Sequence, residues 1–242
     1  MSRTILFFVF FVCTLSSQAQ NYQATYAEFG TLNKGTATLL FNDREWLYTM
    51  SYQQEITMRS DNILLGDDEE KEEYESRLFN YYSLDKKYFL WEQKDLGKGC
   101  VIKDTLEPMD WKFFSDSTKV IGGYNCILAQ IDLCGWDVKA WFTPDIPVSC
   151  GPWRLWGLPG LIVSAYSAEG DIDIQLTSLY LSDKSPQEPQ IKHRTITTKE
   201  KFAGLLQENA DKMMRMLNST QNGRSSTTTF KMKINNPDKC LR

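Results

Sequence analysis

Ten short segments in which apolar and polar residues alternate, with compact turn signals between them, fill most of the chain from residue 22 to residue 181. A period of two puts every second side chain on one face, the pattern of a strand with one buried and one solvated side. The segments are 22–29, 36–42, 45–52, 77–84, 87–93, 119–126, 126–132, 136–143, 161–168 and 173–181. "NDR", "LDKK", "DLCG" and "AEGD" separate several of them, so sequence neighbours are expected to pair as antiparallel hairpins. A meander this long limits its exposed edges by curling. The expected fold is therefore mainly β, an antiparallel meander forming a curved half-barrel or barrel. The 13% aromatic content suits such a sheet.

One helix interrupts the pattern, at 198–218. Thr197 and Glu200 have capping-box spacing, and Phe202, Leu205, Leu206, Met213 and Leu217 form an apolar stripe. The stripe is expected to pack on a sheet face or to plug an open end. A short last strand is expected at 230–234. The acidic run 66–77, with seven carboxylates between Asp67 and Glu75, reads as a solvated hairpin tip or short exposed helix rather than a calcium loop.

The first nineteen residues have a different character. Arg3 precedes an apolar run from Ile5 to Leu15, and small residues follow at Ser17 and Ala19. This is the layout of a cleavable secretory signal, with cleavage after Ala19. The run is about half the ~20 residues that span a bilayer. Val12 before Cys13 is too bulky for a lipobox, so the expected product is periplasmic or secreted and not a lipoprotein. Residues 20–242 then form a single domain, with no transmembrane segment once the signal is removed. The net charge of −4 and the lack of a basic face argue against nucleic acid as a partner.

Five cysteines lie beyond the signal: Cys100, Cys126, Cys134, Cys150 and Cys240. In an oxidising compartment such residues pair, so they are disulfide candidates, with one thiol left over. No C-x-x-C spacing points to zinc or to a redox dithiol.

Catalytic signatures are sparse. His193, the only histidine, lies in a polar extended stretch and reads as a surface residue. No G-x-S-x-G elbow, P-loop or dinucleotide fingerprint is present, and "GKG" at 97–99 is too short to cradle a phosphate. No catalytic residue, metal site or cofactor is assigned. A hydrolase built on Asp137, Asp145 or Asp171 remains an alternative, as does a copper-handling protein using Met213, Met214, Met216 and the leftover thiol.

The most informative stretch joins two of the expected strands: "CGPWRLWGLPGLIV", Cys150 to Val163. Pro144, Pro147, Pro152 and Pro159 stiffen the connection. Leu158-Pro159-Gly160-Leu161 fits a type II turn with positive φ at Gly160. In one reading Trp153, Trp156 and Leu158 fold inward and close one end of the barrel. In the other they line a ligand site with Trp136 and Trp141, and Arg154 offers a fork to an anion.

The same residues carry a resemblance. "GLPGLI" (157–162), inside "AWFTPDIPVSCGPWRLWGLPGLIVSAYS" (140–167), resembles the signature of the GLPGLI, or Porph_ging, family of exported Bacteroidetes proteins. "IGGYNCILAQID" (121–132) is similar to a second family block, and "INNPDKC" (234–240) to a common tail. Cys134-Gly135-Trp136 departs from the family pattern, which has a Gly-Arg pair there. The signature residues are Gly151, Pro152, Gly157, Leu158, Pro159, Gly160, Leu161 and Ile162. The resemblance implies export, an unknown function, and a role near TonB-dependent outer-membrane transport. It carries no catalytic residue. The resulting expectation is a non-enzymatic envelope protein that binds a lipid or other apolar ligand, a peptide-like ligand, or a TonB-dependent transporter.

Overall fold

The computed structural model describes residues 20–31, 34–53, 75–93, 100–133, 135–191 and 195–221. Its strands are β1 (Tyr22–Glu28), β2 (Gly35–Phe41), β3 (Glu45–Gln53), β4 (Glu75–Ser83), β5 (Tyr88–Gln93) and β6 (Cys100–Thr105). After these come β7 (Lys112–Ile121), β8 (Tyr124–Leu133), β9 (Trp136–Thr143), β10 (Leu161–Ser167), β11 (Asp173–Leu181) and β12 (Thr195–Thr198). Helix α1 (Lys199–Gln221) follows directly. All twelve strands form one sheet in the order β12-β6-β5-β4-β3-β2-β1-β11-β10-β9-β8-β7. Two meanders, β1 to β6 and β7 to β11, are thus joined through the antiparallel β1–β11 pair. Among the described strands only β12, beside β6, runs parallel to its neighbour.

The connection between the meanders forces the sheet to curl. β6 and β7 are ten strand spacings apart in the sheet, roughly 48 Å if it were flat. The chain crosses from Thr105 to Lys112 in seven steps, at most roughly 25 Å. The sheet therefore bends toward a barrel, and it stays open because β7 and β12 remain as edges. A curved half-barrel is the result.

Three strand assignments differ from the alternation pattern. The expected segment 119–126 is split by the hairpin turn at Gly122–Gly123, and β7 starts earlier, at Lys112. As an edge strand β7 is mostly exposed, so its first half shows no apolar period. β6 has both faces covered, with Val101 and Ile102 in different apolar clusters, which erases its alternation. β12 is too short to show a period.

The inner face holds the main core: Ala24, Tyr26, Leu39, Phe41, Trp46, Tyr48 and Tyr82 from one meander, and Trp136, Val138, Ala140 and Phe142 from the other. Tyr22, Phe41, Trp46, Tyr82 and Phe89 occupy successive cross-strand positions from β1 to β5. Trp46–Tyr82, Tyr82–Phe89 and Phe89–Trp91 stack with centroids 4.8, 5.3 and 4.8 Å apart. Each such pair adds about 0.5–1.5 kcal/mol beyond its buried area. On the outer face Phe79, Tyr81, Leu90 and Val101 pack beneath Ile191 of the segment leading to β12. Glu188 of that segment accepts hydrogen bonds from Lys86 and Tyr88, both 2.7 Å.

Helix α1 docks on β5 and β6, with Phe202 fully buried against Trp91, Cys100 and Ile102, and Leu206 beside it. Leu205, expected in the stripe, is exposed. The cap is Thr198, whose Oγ1 accepts from the Lys201 amide, and not Thr197, which is taken up in pairing with Ile102. The expected signal at 1–19, most of the acidic run and the strand at 230–234 lie outside the described residues, as do the side chains of Met213 and Leu217.

Candidate functional site

Residues 144–160 run from β9 to β10 across the inner face. Short hydrogen bonds stiffen the path: Val148 to Ile146, Cys150 to Val148, Gly157 to Ser149, and Leu161 back to Ile146. The turn at the hexapeptide is tighter than the type II turn expected. The Gly160 amide donates to the Leu158 carbonyl at 2.8 Å, a three-residue γ-turn centred on Pro159. The left-handed residue is instead Gly157, at φ 87°. Gly160 has a different reason to be glycine: a Cβ there would lie 2.1 Å from the Thr143 carbonyl oxygen. Pro159 supplies stiffness, and two glycines supply a bend and a close approach.

The crossover's side chains divide by burial. Leu155 and Leu158 point into the core and are essentially sealed from solvent. Trp153, Arg154 and Trp156 are only partly buried and form the crossover's rim. Trp153 adopts φ 54°, a left-handed conformation that costs a bulky residue roughly 1–2 kcal/mol. The surroundings hold it there: its carbonyl accepts from Tyr82 Oη at 3.1 Å and from Asn80 Nδ2 at 3.3 Å. Its ring meets Trp136 edge to face, with centroids 6.2 Å apart.

That backbone conformation places Arg154 over the aromatic stack. Its guanidinium carbon lies 4.6 Å from the Trp91 ring centroid and 5.8 Å from that of Trp153. Stacking uses the flat face of a guanidinium and leaves its in-plane N–H groups to hydrogen-bond. Trp156 leans on Trp46 at 6.2 Å. The Trp156 carbonyl accepts from Trp111 Nε1 at 2.8 Å, and its amide faces Met109 Sδ at 3.4 Å. Burial pushes the Tyr82 phenol well above its ordinary range, with the Arg154 charge acting weakly the other way. Trp46 and Trp91 are 1% and 2% exposed, and neither indole N–H finds an acceptor among the described residues.

The structure therefore gathers Trp136, Trp153, Arg154, Trp156 and Leu158, but not Trp141. Trp136 is buried, and its Nε1 donates to Asp171 Oδ2 at 3.0 Å. Trp141 falls on the other side of β9, between Leu128 and Ser164, because it is one residue out of phase with Ala140 and Phe142. Trp46, Asn80, Tyr82 and Trp91 belong to the site although no motif marks them. Alternation alone places them on one face of β3, β4 and β5.

The expected disulfides do not form among the described cysteines. Cys126 is a buried thiol that donates to the Tyr124 carbonyl, and Cys150 is a fully buried thiol in the main core. Burial raises both thiol pKa values. Each serves as a small apolar filler. Cys100 packs under the helix, and Cys134 and Cys240 lie outside the described residues.

The three carboxylates of the hydrolase alternative are not gathered. Asp137 is exposed near the start of β9 and accepts from Gln130; Asp145 lies beyond the end of that strand, roughly 20 Å along it, and accepts from the Asn125 amide. Asp171 is engaged with Thr31 and Trp136. The buried acid is elsewhere. Glu28 at the end of β1 accepts from Tyr48 Oη at 2.5 Å, and burial raises its pKa to about 7 against the opposing effect of that hydrogen bond. Glu28 is paired with Gly35 and Tyr48 with Leu39, so the hydrogen bond runs diagonally across β2. Among the described residues no group of three or more His, Cys, Asp or Glu is placed to hold a metal. His193 and the Met213, Met214 and Met216 side chains lie outside the described residues. No described helix is long and apolar enough to cross a membrane.

A family model described as a protein of unknown function (Porph_ging) matches residues 135–164, which span β9, the crossover and the start of β10. No curated protein matches the chain. Two solved structures of PNGF-II, in space groups C2 and P21, share its fold at TM-scores of 0.50 and 0.52 with 18% identity. They cover 74% of this chain, which spans 31% and 32% of theirs.

Proposed function

We propose that this chain is an exported, non-catalytic binding protein of the cell envelope that holds an apolar or peptide-like ligand at the Trp153–Arg154–Trp156 rim for a TonB-dependent transport partner. The observation that carries the reading is the strained backbone at Trp153, which sets a partly exposed guanidinium between two indole rings. Ile146, Cys150, Leu155 and Leu158 are the crossover's buried core residues, while Arg154 is not among them. Backbone strain of this kind, held here by the Tyr82 and Asn80 hydrogen bonds, collects at functional positions. Export is supported by the signal-like residues 1–19, and the transport partner by the family resemblance.

The test is native mass spectrometry of the protein purified from its own periplasm. A retained lipid or peptide, lost in Arg154→Gln at unchanged melting temperature, is the expected result. An empty protein that hydrolyses envelope polymers would overturn the reading.

A further inference from the structure

We infer that Met109 is a reversible oxidation site, a thioether latch between the β6–β7 connection and the crossover that hydrogen peroxide opens. The inference goes beyond the binding reading above and does not depend on it.

The latch joins a side chain of one segment to the backbone of the other. The Trp156 amide donates to Met109 Sδ at 3.4 Å, and the Trp156 carbonyl accepts from Trp111 Nε1 at 2.8 Å. The connection 106–111 therefore holds both backbone polar groups of Trp156. Gly157 continues the contact, since a Cβ there would stand 3.9 Å from both Met109 Cβ and Trp111 Nε1. The Met109 carbonyl accepts from the Trp111 amide at 3.1 Å, a tight turn that fixes the backbone beneath the sulfur.

Exposure singles out this sulfur. Of the two methionine side chains described, Met50 is 5% exposed within the core, while Met109 is only partly buried against it. Oxidation follows accessibility. A sulfur lone pair attacks one oxygen of the peroxide, and the O–O bond breaks as the S–O bond forms. The other oxygen takes the displaced proton and leaves as water. Sulfur gives up two electrons and the peroxide accepts them, so one sulfoxide and one water result.

The product does not keep the latch. In one sulfoxide epimer the new oxygen takes the lone pair that meets the Trp156 amide and fills the space of the hydrogen bond. In the other the oxygen points away, and the electron-poor sulfur that remains is a poor acceptor. Either way a polar, chiral group replaces an apolar one beside Trp156. Trp156, which leans on Trp46 at 6.2 Å, then loses one of its two backbone anchors at the rim.

Treatment of the full chain with hydrogen peroxide, followed by peptide mapping, tests the site. Met109 should become the sulfoxide faster than Met50. The Trp156 amide should then exchange with solvent about tenfold faster, the effect of one lost hydrogen bond, and the melting temperature should fall. Met109→Leu keeps an apolar side chain of similar size and removes the reactive sulfur. Its Trp156 amide should exchange rapidly from the start, at a rate that peroxide leaves unchanged. Methionine sulfoxide reductases acting on both epimers should restore slow exchange in the native chain. Oxidation of Met109 no faster than that of Met50 would overturn the inference. So would an oxidised Met109 with unchanged Trp156 exchange, an equal response to peroxide in Met109→Leu, or a change that the reductases do not reverse.

Discussion

The inner face buries polar groups in two places, and they are balanced differently. At Glu28 an acceptor meets a donor: Tyr48 on β3 reaches diagonally across β2 to the carboxyl. On the aromatic stack the indole donors of Trp46 and Trp91 have no acceptor among the described residues, and Arg154 adds a cation beside them. A pair that satisfies itself is a structural device whose free energy depends on protonation. The stack instead holds two buried donors without an acceptor among the described residues, a cost that protonation does not alter. Of the crossover's residues, Trp153 and Arg154 lie against the stack.

The largest expected effect removes the crossover's seat without altering either cluster. Gly160→Ala would press a methyl group into the Thr143 carbonyl, and Leu158→Ala would open a cavity in the core. Each should cost roughly 2–5 kcal/mol in denaturant unfolding. Losses below 1 kcal/mol would mean that the crossover is a detachable lid.

Next in size is the response to pH. Glu28 has a folded pKa of about 7 against an ordinary value of 4.5, so the folded chain binds the extra proton between those values. Its stabilising contribution is full below about pH 4.5 and is lost as pH rises through 7, in total roughly 3 kcal/mol. Unfolding free energies at pH 5 and pH 8 should show that fall in the native chain and a flattened profile in Glu28→Gln. The same slope in both would place the titrating group elsewhere.

The smallest effect tests the satisfied pair directly. Tyr48→Phe leaves the Glu28 oxygen without its donor, so about 1–3 kcal/mol should be lost, more at pH 8 than at pH 5 because the hydrogen bond favours the charged form. An effect independent of pH would show that the hydroxyl matters only for packing.

Much of the fold was legible in the chain. β1 to β5 and β8 to β11 follow the expected segments within one or two residues. In β1 and β2 the reason is one face in the core and one partly solvated. β4 and β5, by contrast, are covered on both faces and were marked by their aromatic content and flanking turns. β6 was hidden because both of its faces are covered, and β7 because an edge strand is mostly solvated. The site was legible in part. "GLPGLI" marked the crossover, while the turn type at Pro159 and the reason for Gly160 depend on Thr143, a residue of another strand. Trp141 was grouped with the other tryptophans by composition, and its phase on β9 separates it from them.

Local sequence determined what short-range physics controls: the period-two strands, the stiff proline-rich crossover, and the helix that follows β12. Tertiary structure alone decided which aromatics meet, since Trp46, Tyr82 and Phe89 align only once three strands have taken their register. It also decided that Arg154 faces Trp91, a contact between residues 63 positions apart. Register and curl are cooperative properties of the whole sheet, set by the summed burial of both meanders and carried by no single segment.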